Sequence, residues 1–527
     1  MRILIFHGYL LDGTGSNVYN AHLAQALTAM GHDVHLLSQD RHAAEKPFVD
    51  AVGEWRHGRL RVRDLHRERA PGRGRCGVYR PDIGELLPVY VADRYEGIEA
   101  RTFLDSSDAE IEAYVRANVA AAREVRELVA PHAALANHLV MGPAILARAL
   151  NGEVPYAVKI HGSALEYTVK AAPQRFLGYA REGLAGARAI LVGSRHTAES
   201  LWRALADEPD LPARTRLGPP GVDVARFAPR GPEEAARGVR DLQRALAAAP
   251  HHQGTGDSAF ARDPRAAAHA LSRLAPGSDR LVAFVGKLIV SKGVDLLLAA
   301  WPLVLAQAPR ARLVVVGFGA YRSALEQLAG ALACGDLRAA RELAEAGRAL
   351  ESGAQAPPQP LHHLLAFLDG LTGERRARYT ASARGLAQSV VFAGRLEHDE
   401  VAQLLPACEA LAVPSTFPES FGMVAAEAAA CAALPISAAH SGLAEVSRVL
   451  ARAVPREVAP CLSFAIDDHA VEALADRVVA WLQFPAAVRA GARQGLVETV
   501  REHWSWEGVA RGVIAAAEGR LGELQAP

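Results

Sequence analysis

Short runs of β-branched and leucine residues alternate with longer amphipathic segments through most of the chain. Residues 3–6, 17–29 and 34–37 read as strand, helix, strand, the apolar pattern passing from a continuous run to one-face helical spacing and back. After a less regular, arginine-rich stretch the alternation resumes, with a long helix over 109–129, a strand at 133–136, a helix at 142–150, a strand at 156–160, a helix around Phe176 and a strand at 189–192. Apolar strands joined by helix-length crossovers are the signature of a parallel sheet buried on both faces, so this half predicts a doubly wound α/β lobe. Pro219-Pro220-Gly221 interrupts the pattern, and a second series of the same kind follows. Its strands fall at 281–285, 313–316, 390–392, 411–413 and 434–437, with helices at 294–305, 401–405 and 422–431.

The organisation this predicts is an N-terminal lobe over 1–218, a second lobe over 219–500, and a C-terminal segment over 501–527. Two stretches rich in Ala, Arg and Leu, 231–279 and 328–388, break into the second lobe and read as helical insertions. A length of 527 residues agrees with two cores rather than one. Half the residues are hydrophobic and 22% are charged, the balance of an ordinary globular chain. Lys and Arg number 58, as do Asp and Glu, which removes the positive field of a dedicated nucleic-acid binder and makes any anion site local. The five cysteines are widely spread with no CxxC pair, arguing against a disulfide framework or a zinc cluster and for a reducing cytoplasm. The opening apolar run at 3–6 is too short for a secretory core or a membrane span.

The most informative chemistry lies in the segment 418–427, PESFGMVAAE, where a strand ends and a helix begins. Glu419 precedes the helix and Glu427 lies more than one turn inside it, so both are expected to face one crevice at the strand's carboxyl end, with the exposed N–H groups of the helix start between them. Such N–H groups suit a phosphate, and carboxylates suit sugar and ribose hydroxyls, a combination that fits a nucleotide sugar. By itself, the spacing is also that of a surface helix with scattered acids. A second segment, 286–293 (GKLIVSKG), places Gly286, Lys287 and Lys292 in a strand-to-helix turn. Two lysines beside a helix N-terminus stabilise charge on a departing diphosphate; alone, they also read as solvated loop cations.

Together these segments make the second lobe resemble the retaining glycosyltransferases of family 4, whose hallmark is an E-x7-E motif and whose fold is GT-B, two Rossmann-like domains facing a cleft. The resemblance implies that Glu419 contacts donor-sugar hydroxyls and Glu427 the ribose, that Lys287 and Lys292 take the diphosphate, and that the backbone N–H groups of Phe421, Gly422 and Met423 complete the cradle. The family usually carries Arg where Lys287 stands, and lysine supplies charge without the bidentate fork. The segment 440–445, HSGLAE, takes the place of the family's small-residue loop. The co-substrate implied is a nucleotide diphosphate sugar, UDP-sugar ahead of GDP- or ADP-sugar, with no further cofactor and no metal, since no DxD-spaced carboxylate pair stands in either loop. The acceptor implied is a hydroxyl of a small molecule, a glycan or a lipid-linked compound.

In the first lobe, Asp12-Gly13-Thr14-Gly15-Ser16 follows the first strand, with Gly15 as the expected phosphate contact. A nicotinamide-binding reading competes there because Asp40 follows the second strand, but the third glycine of that fingerprint is absent. His161 and Gly162 end the strand at 156–160 and correspond to a donor-sugar contact, and Arg195, after the strand at 189–192, to a phosphate contact. Trp504 and Trp506 mark a C-terminal helix that, by analogy with this architecture, returns to the first lobe. The stretch 56–80 holds Arg56, Arg59, Arg61, Arg63, Arg67, Arg69, Arg73, Arg75 and Arg80, which reads either as a peripheral contact with anionic lipid or a phosphorylated acceptor, or as a solvated, internally paired surface. The expected activity is transfer of a hexosyl unit with retention. A related epimerase or phosphorylase and a non-catalytic nucleotide-sugar binder remain as alternatives.

Overall fold

A residue run that is apolar at every position can only be satisfied by burial on both faces, and the central strands show this. In a computed structural model of the chain, Ile3, Leu4, Ile5 and Phe6 are each 2% exposed or less. Leu4 and Phe6 enter one hydrophobic cluster and Ile3 and Ile5 another, so the strand's period of two divides its side chains between the two faces of the sheet. The residues described are 1–13, 15–68, 70–91, 99–249, 262–352 and 359–527. Thr14 of the glycine loop, Arg69, and the parts of the two insertions at 250–261 and 353–358 lie outside them.

The chain divides into two units, Met1–Gly221 with Trp504–Pro527, and Val222–His503. The first is built on a nine-stranded sheet in the order Thr215–Leu217, Ala189–Val192, Tyr156–Ile160, Ala133–Asn137, Arg2–Phe6, Asp33–Leu37, Cys76–Arg80, Ala51–Arg56, Arg59–Asp64. Only the last pair is antiparallel. One face is covered by the helices Asp108–Val129, Gly142–Leu150 and Pro173–Ala185, the other by Gly15–Ala29 and the C-terminal helix Trp506–Glu518. Gly221 accommodates the latter: a Cβ there would stand 2.6 Å from Cδ2 of Trp506.

The arginine-rich stretch is more regular than its sequence suggests. It contains the hairpin Ala51–Arg56 with Arg59–Asp64, followed by strand Cys76–Arg80. Much of its charge is consumed internally: Arg73 bonds Asp50 at 3.1 Å, Arg80 bonds Glu54 at 2.8 Å, Arg75 meets Asp64, and Arg67 donates to the carbonyls of Ala44 and Lys46 at 2.5 Å. Arg59, Arg61 and Arg63, on the edge strand, stay exposed.

The second unit carries a six-stranded, wholly parallel sheet in the order Val390–Gly394, Ala311–Val316, Arg280–Val285, Cys408–Val413, Leu434–Ala438, Ser463–Phe464. The helix Val294–Gln307 is apolar almost all round and correspondingly buried. The described parts of both insertions are helical. Pro232–Ala248 and Pro264–Leu271 pack on each other, and the latter lies on the edge strand Val390–Gly394. Of the second insertion, Gly373–Ala383 seats Tyr379 so that its hydroxyl donates to the carbonyl of Ala299 at 2.9 Å, tying the insertion to the central helix. All five cysteines are free thiols, and no helix among the described residues is long and apolar enough to cross a membrane.

Candidate functional site

In an open parallel sheet, the loops leaving two adjacent strands diverge where the strand order reverses, and ligands sit in the crevice so formed. In the second unit this point lies between Arg280–Val285 and Cys408–Val413, which pair directly. The loop after the first carries Gly286, Lys287 and Lys292; the loop after the second carries Glu419, Phe421 and Gly422, and the helix Met423–Ala430 follows. The two loops touch. The N–H of Thr416 donates to the carbonyl of Ser291 at 2.9 Å, and Gly293, at φ +66°, passes so close that a Cβ would stand 2.0 Å from the carbonyl oxygen of Pro414.

This approach brings Lys292 onto Glu419: the ammonium donates to Oε1, and the hydroxyl of Ser415 donates to the same oxygen at 2.8 Å. Burial pushes the Glu419 carboxyl up, but the charge and hydrogen bond of Lys292, with Ser415 and His440, outweigh it and hold the group below the usual carboxylate range. The turn is braced from the segment 440–445. The N–H of Glu419 donates to the Ser441 hydroxyl at 2.9 Å, and the N–H of Gly442 to the carbonyl of Glu419 at 2.9 Å. Any Cβ on Gly442 would lie 2.6 Å from backbone atoms of Ser420 and Phe421. Gly422 caps the helix at φ +107°, a conformation open to glycine. Ser415 was not among the residues marked by the sequence, its signal being only that it is a polar residue just beyond a strand end; His440 and Ser441 lie in the marked segment 440–445, without a role assigned to either.

Glu427 is held separately. It is 5% exposed, and its Oε1 accepts from Nε2 of His398 at 2.8 Å. Burial pushes the His398 imidazole down, but the charge and hydrogen bond of Glu427 more than reverse this and raise its pKa above the ordinary 6.5. A raised histidine pKa contributes stability that is fully present below the unfolded value and is lost as pH rises through the folded value. Glu427→Gln is therefore expected to lower the His398 pKa and to erase that acid-side gain. Following the His398 ring resonance by NMR against pH checks it, and an unchanged midpoint would contradict the pairing.

In the first unit, the corresponding switch point lies between Arg2–Phe6 and Ala133–Asn137. His161, one residue beyond strand Tyr156–Ile160, donates from Nε2 to Oδ1 of Asn137 at 2.7 Å, because the Asn137 amide nitrogen is committed to the carbonyl of Phe6 at 3.1 Å and to Oδ1 of Asn20 at 2.8 Å. Asn20 donates in turn to Nδ1 of His7 at 3.0 Å, whose Nε2 donates to Oδ1 of Asn17 at 2.9 Å. This chain fastens the glycine loop to the strand ends. Burial, then the neighbouring His138, Lys159 and His7, hold His161 well below the imidazole range, so it is neutral with its proton on Nε2. His7 is pushed down to about 4 and Lys159 to about 7, both by burial. His138, at φ +70° and 2% exposed, packs between His161 and Tyr90 with ring centroids 4.9 and 4.6 Å away, and neither of its nitrogens has a hydrogen-bond partner among the described residues. Asn137 and His138 are the site residues that sequence reasoning missed here. Asn137→Ala removes three buried hydrogen bonds and is expected to cost about 1–3 kcal/mol in urea denaturation.

Gly162, at φ +98°, turns the chain after His161, and Gly15 opens the helix Gly15–Ala29. Arg195 begins the helix Arg195–Ala204, is exposed, and bonds Glu199 at 2.8 Å. Asp40 accepts from the N–H groups of Leu11 at 3.0 Å and His42 at 2.7 Å, so its carboxylate is spent on fastening a loop rather than offered to a ribose. Among the described residues, no group of three His, Cys, Asp or Glu is arranged to hold a metal.

The fold is GT-B, with two α/β domains each built on a largely parallel sheet. It is shared with sucrose-phosphate synthase from Thermosynechococcus elongatus (18% identity, TM-score 0.56, 99% of each chain covered) and with Anabaena HepE solved in complex with UDP and glucose (15% identity, TM-score 0.53, 98% and 99% covered). Within the second unit, residues 279–350 and 362–490 match two family models, each described as glycosyl transferases group 1, and these spans contain Lys287, Lys292, Glu419 and Glu427. A curated relative, the D-inositol 3-phosphate glycosyltransferase of Segniliparus rotundus, is 28% identical over 310 residues, 59% of this chain and 48% of its own length. The chain thus spans about half the length of that relative.

Proposed function

We propose that the chain is a retaining glycosyltransferase of family 4 that transfers a hexosyl unit from a nucleotide diphosphate sugar to an acceptor hydroxyl. The observation that carries this is the meeting of Lys292 with Glu419 across the two loops of the second unit's switch point, inside the segments that match glycosyl transferases group 1. In the proposed reaction, the bond from the sugar's anomeric carbon to the diphosphate breaks. Lys292, Lys287 and the N–H groups of Phe421, Gly422 and Met423 stabilise the charge that develops on the leaving oxygen. Donor sugar hydroxyls replace Lys292 as partners of Glu419, which frees the ammonium for the diphosphate, and Glu427 takes the ribose. Gly286 lets the backbone approach the donor, and Gly15, His161, Gly162 and Arg195 keep their roles as proposed donor contacts. The acceptor oxygen bonds the anomeric carbon on the face the diphosphate leaves, its proton passing to the departing oxygen.

UDP-sugar is the first donor to test, and inositol phosphate, after the Segniliparus relative's name, the first acceptor. A cytoplasmic location belongs to this reading. Any contact with anionic lipid through 56–80 would fall to the exposed Arg56, Arg59, Arg61 and Arg63, because the other described arginines of the stretch are chiefly engaged internally. The test is release of free nucleoside diphosphate from UDP-, GDP- and ADP-sugars in the presence of EDTA. Release from one donor class that survives EDTA is expected; failure of every donor with folded protein, with or without added divalent metal, would overturn the assignment.

A further inference from the structure

Glu419 begins and ends a closed ring of hydrogen bonds. Its Oε1 accepts from the hydroxyl of Ser415 at 2.8 Å, and the carbonyl of Ser415 accepts from Nε2 of His440 at 2.8 Å. Because a carbonyl oxygen only accepts, Nε2 carries a proton, and in the neutral ring Nδ1 is then an acceptor. It takes the hydroxyl proton of Ser441 at 3.1 Å, and the Ser441 oxygen accepts the N–H of Glu419 at 2.9 Å. Ser415 and His440 each stand two residues beyond the paired strands Cys408–Val413 and Leu434–Ala438, so the ring ties two adjacent strand ends to one carboxylate.

Ser441 is held at φ +52°, which is unfavourable for a residue with a side chain and suits glycine, and its hydroxyl is the group that glycine would lack. The strained residue thus supplies the one atom that joins His440 to the Glu419 backbone. Lys292 and Ser415 share Oε1 of Glu419. In the proposed reaction Lys292 turns to the diphosphate, which leaves Ser415 on the carboxylate and Ser441 on the N–H, and His440 touches both.

We propose that His440 and Ser441 are positioning residues for transfer: acting through Ser415 and the Glu419 backbone, they keep the Glu419 carboxylate aimed at the donor sugar while Lys292 is engaged by the diphosphate. The role in transfer rests on the glycosyltransferase reading; the restraint on Glu419 does not.

Ser441→Ala and Ser441→Gly both remove the hydroxyl without touching a charge or the carboxylate, but glycine also relieves the backbone. Ser441→Gly should therefore have the higher urea midpoint of the two, while both lose kcat for turnover of UDP-, GDP- or ADP-sugar by about tenfold or more, the scale of a small misplacement. UDP, GDP and ADP carry no sugar for Glu419 to hold, and whichever binds wild type should bind the variants within about twofold. His440→Gln, whose amide reaches the place of Nε2 and still donates to the Ser415 carbonyl, should keep more rate than His440→Ala. The Glu419 carboxyl, followed by NMR in protein made with isotope-labelled glutamate and assigned with Glu419→Gln, should titrate higher in Ser441→Ala and His440→Ala than in wild type, because Ser415 and His440 are among the influences that hold it down. Wild-type kcat in Ser441→Gly, rates that follow the urea midpoints, or a Glu419 titration unmoved by both substitutions would overturn the proposal. Absence of turnover of every donor by folded wild type would count against the glycosyltransferase reading, and the Glu419 titration then decides the restraint by itself, an unmoved midpoint overturning it.

Discussion

Lys292→Ala is expected to lower kcat for sugar transfer by about 10²–10³, the loss seen when one preorganised group facing developing charge is removed. Two effects add. In the proposed reaction the departing diphosphate would lose a cation, and Glu419 would lose the partner that holds its carboxyl below the usual range. Lys292 is the first stabilising influence on that carboxylate, and Ser415 alone remains on Oε1 once it is gone. The Glu419 pKa should then rise under its burial. A depressed carboxylate pKa contributes stability present above the unfolded value and lost as pH falls through the folded one, so the variant should also lose part of its stability at neutral pH and little in acid. Steady-state kinetics and denaturation at neutral and acid pH read the two effects. Lys292→Arg keeps the charge and is expected to recover part of the rate. Wild-type kcat in the alanine variant would remove Lys292 from the mechanism.

Gly293→Ala is the second large effect. The residue sits at φ +66°, where a side chain costs roughly 1–2 kcal/mol before any contact is counted. Its Cβ would also meet the carbonyl oxygen of Pro414 at 2.0 Å, a backbone atom that cannot swing aside. The loops must separate, and the expected loss is on the order of 2–4 kcal/mol of stability together with the Lys292–Glu419 contact. Gly330, inside the helix Arg322–Cys334, meets nothing within 4 Å, so Gly330→Ala should be neutral or stabilising by about 0.5–1 kcal/mol. Urea denaturation of the pair checks both; equal midpoints would contradict the close approach.

The parts of the fold that were legible in the sequence are those buried on both faces. Strand Ala189–Val192 is a continuous apolar run, Tyr156–Ile160 is one interrupted only by Lys159, and helix Gly142–Leu150 runs from a glycine-proline start to Leu150, so local pattern and tertiary environment agree. The hairpin Ala51–Arg56 with Arg59–Asp64 was not legible, because an edge strand with alternating arginines has no continuous apolar run and resembles a charged loop. The two segments bearing Lys292 and Glu419 were marked by residue type and by their places at strand ends. Their direct pairing was not, since it depends on adjacency of strands 127 residues apart along the chain. The same holds for His398 on Glu427 and for Asn137 between His161 and Asn20. A polar residue closing an otherwise apolar strand, as at Asn137, His138 and His161, is the pattern that would have found the first-unit network.

The most direct test is calorimetric titration of UDP, GDP and ADP into wild type, Lys292→Ala and Glu427→Ala in EDTA. The account predicts that one diphosphate binds wild type at a single site and that each substitution weakens it by at least about tenfold. Absence of binding by all three to folded wild type, or binding untouched by both substitutions, would contradict a donor site built on these loops.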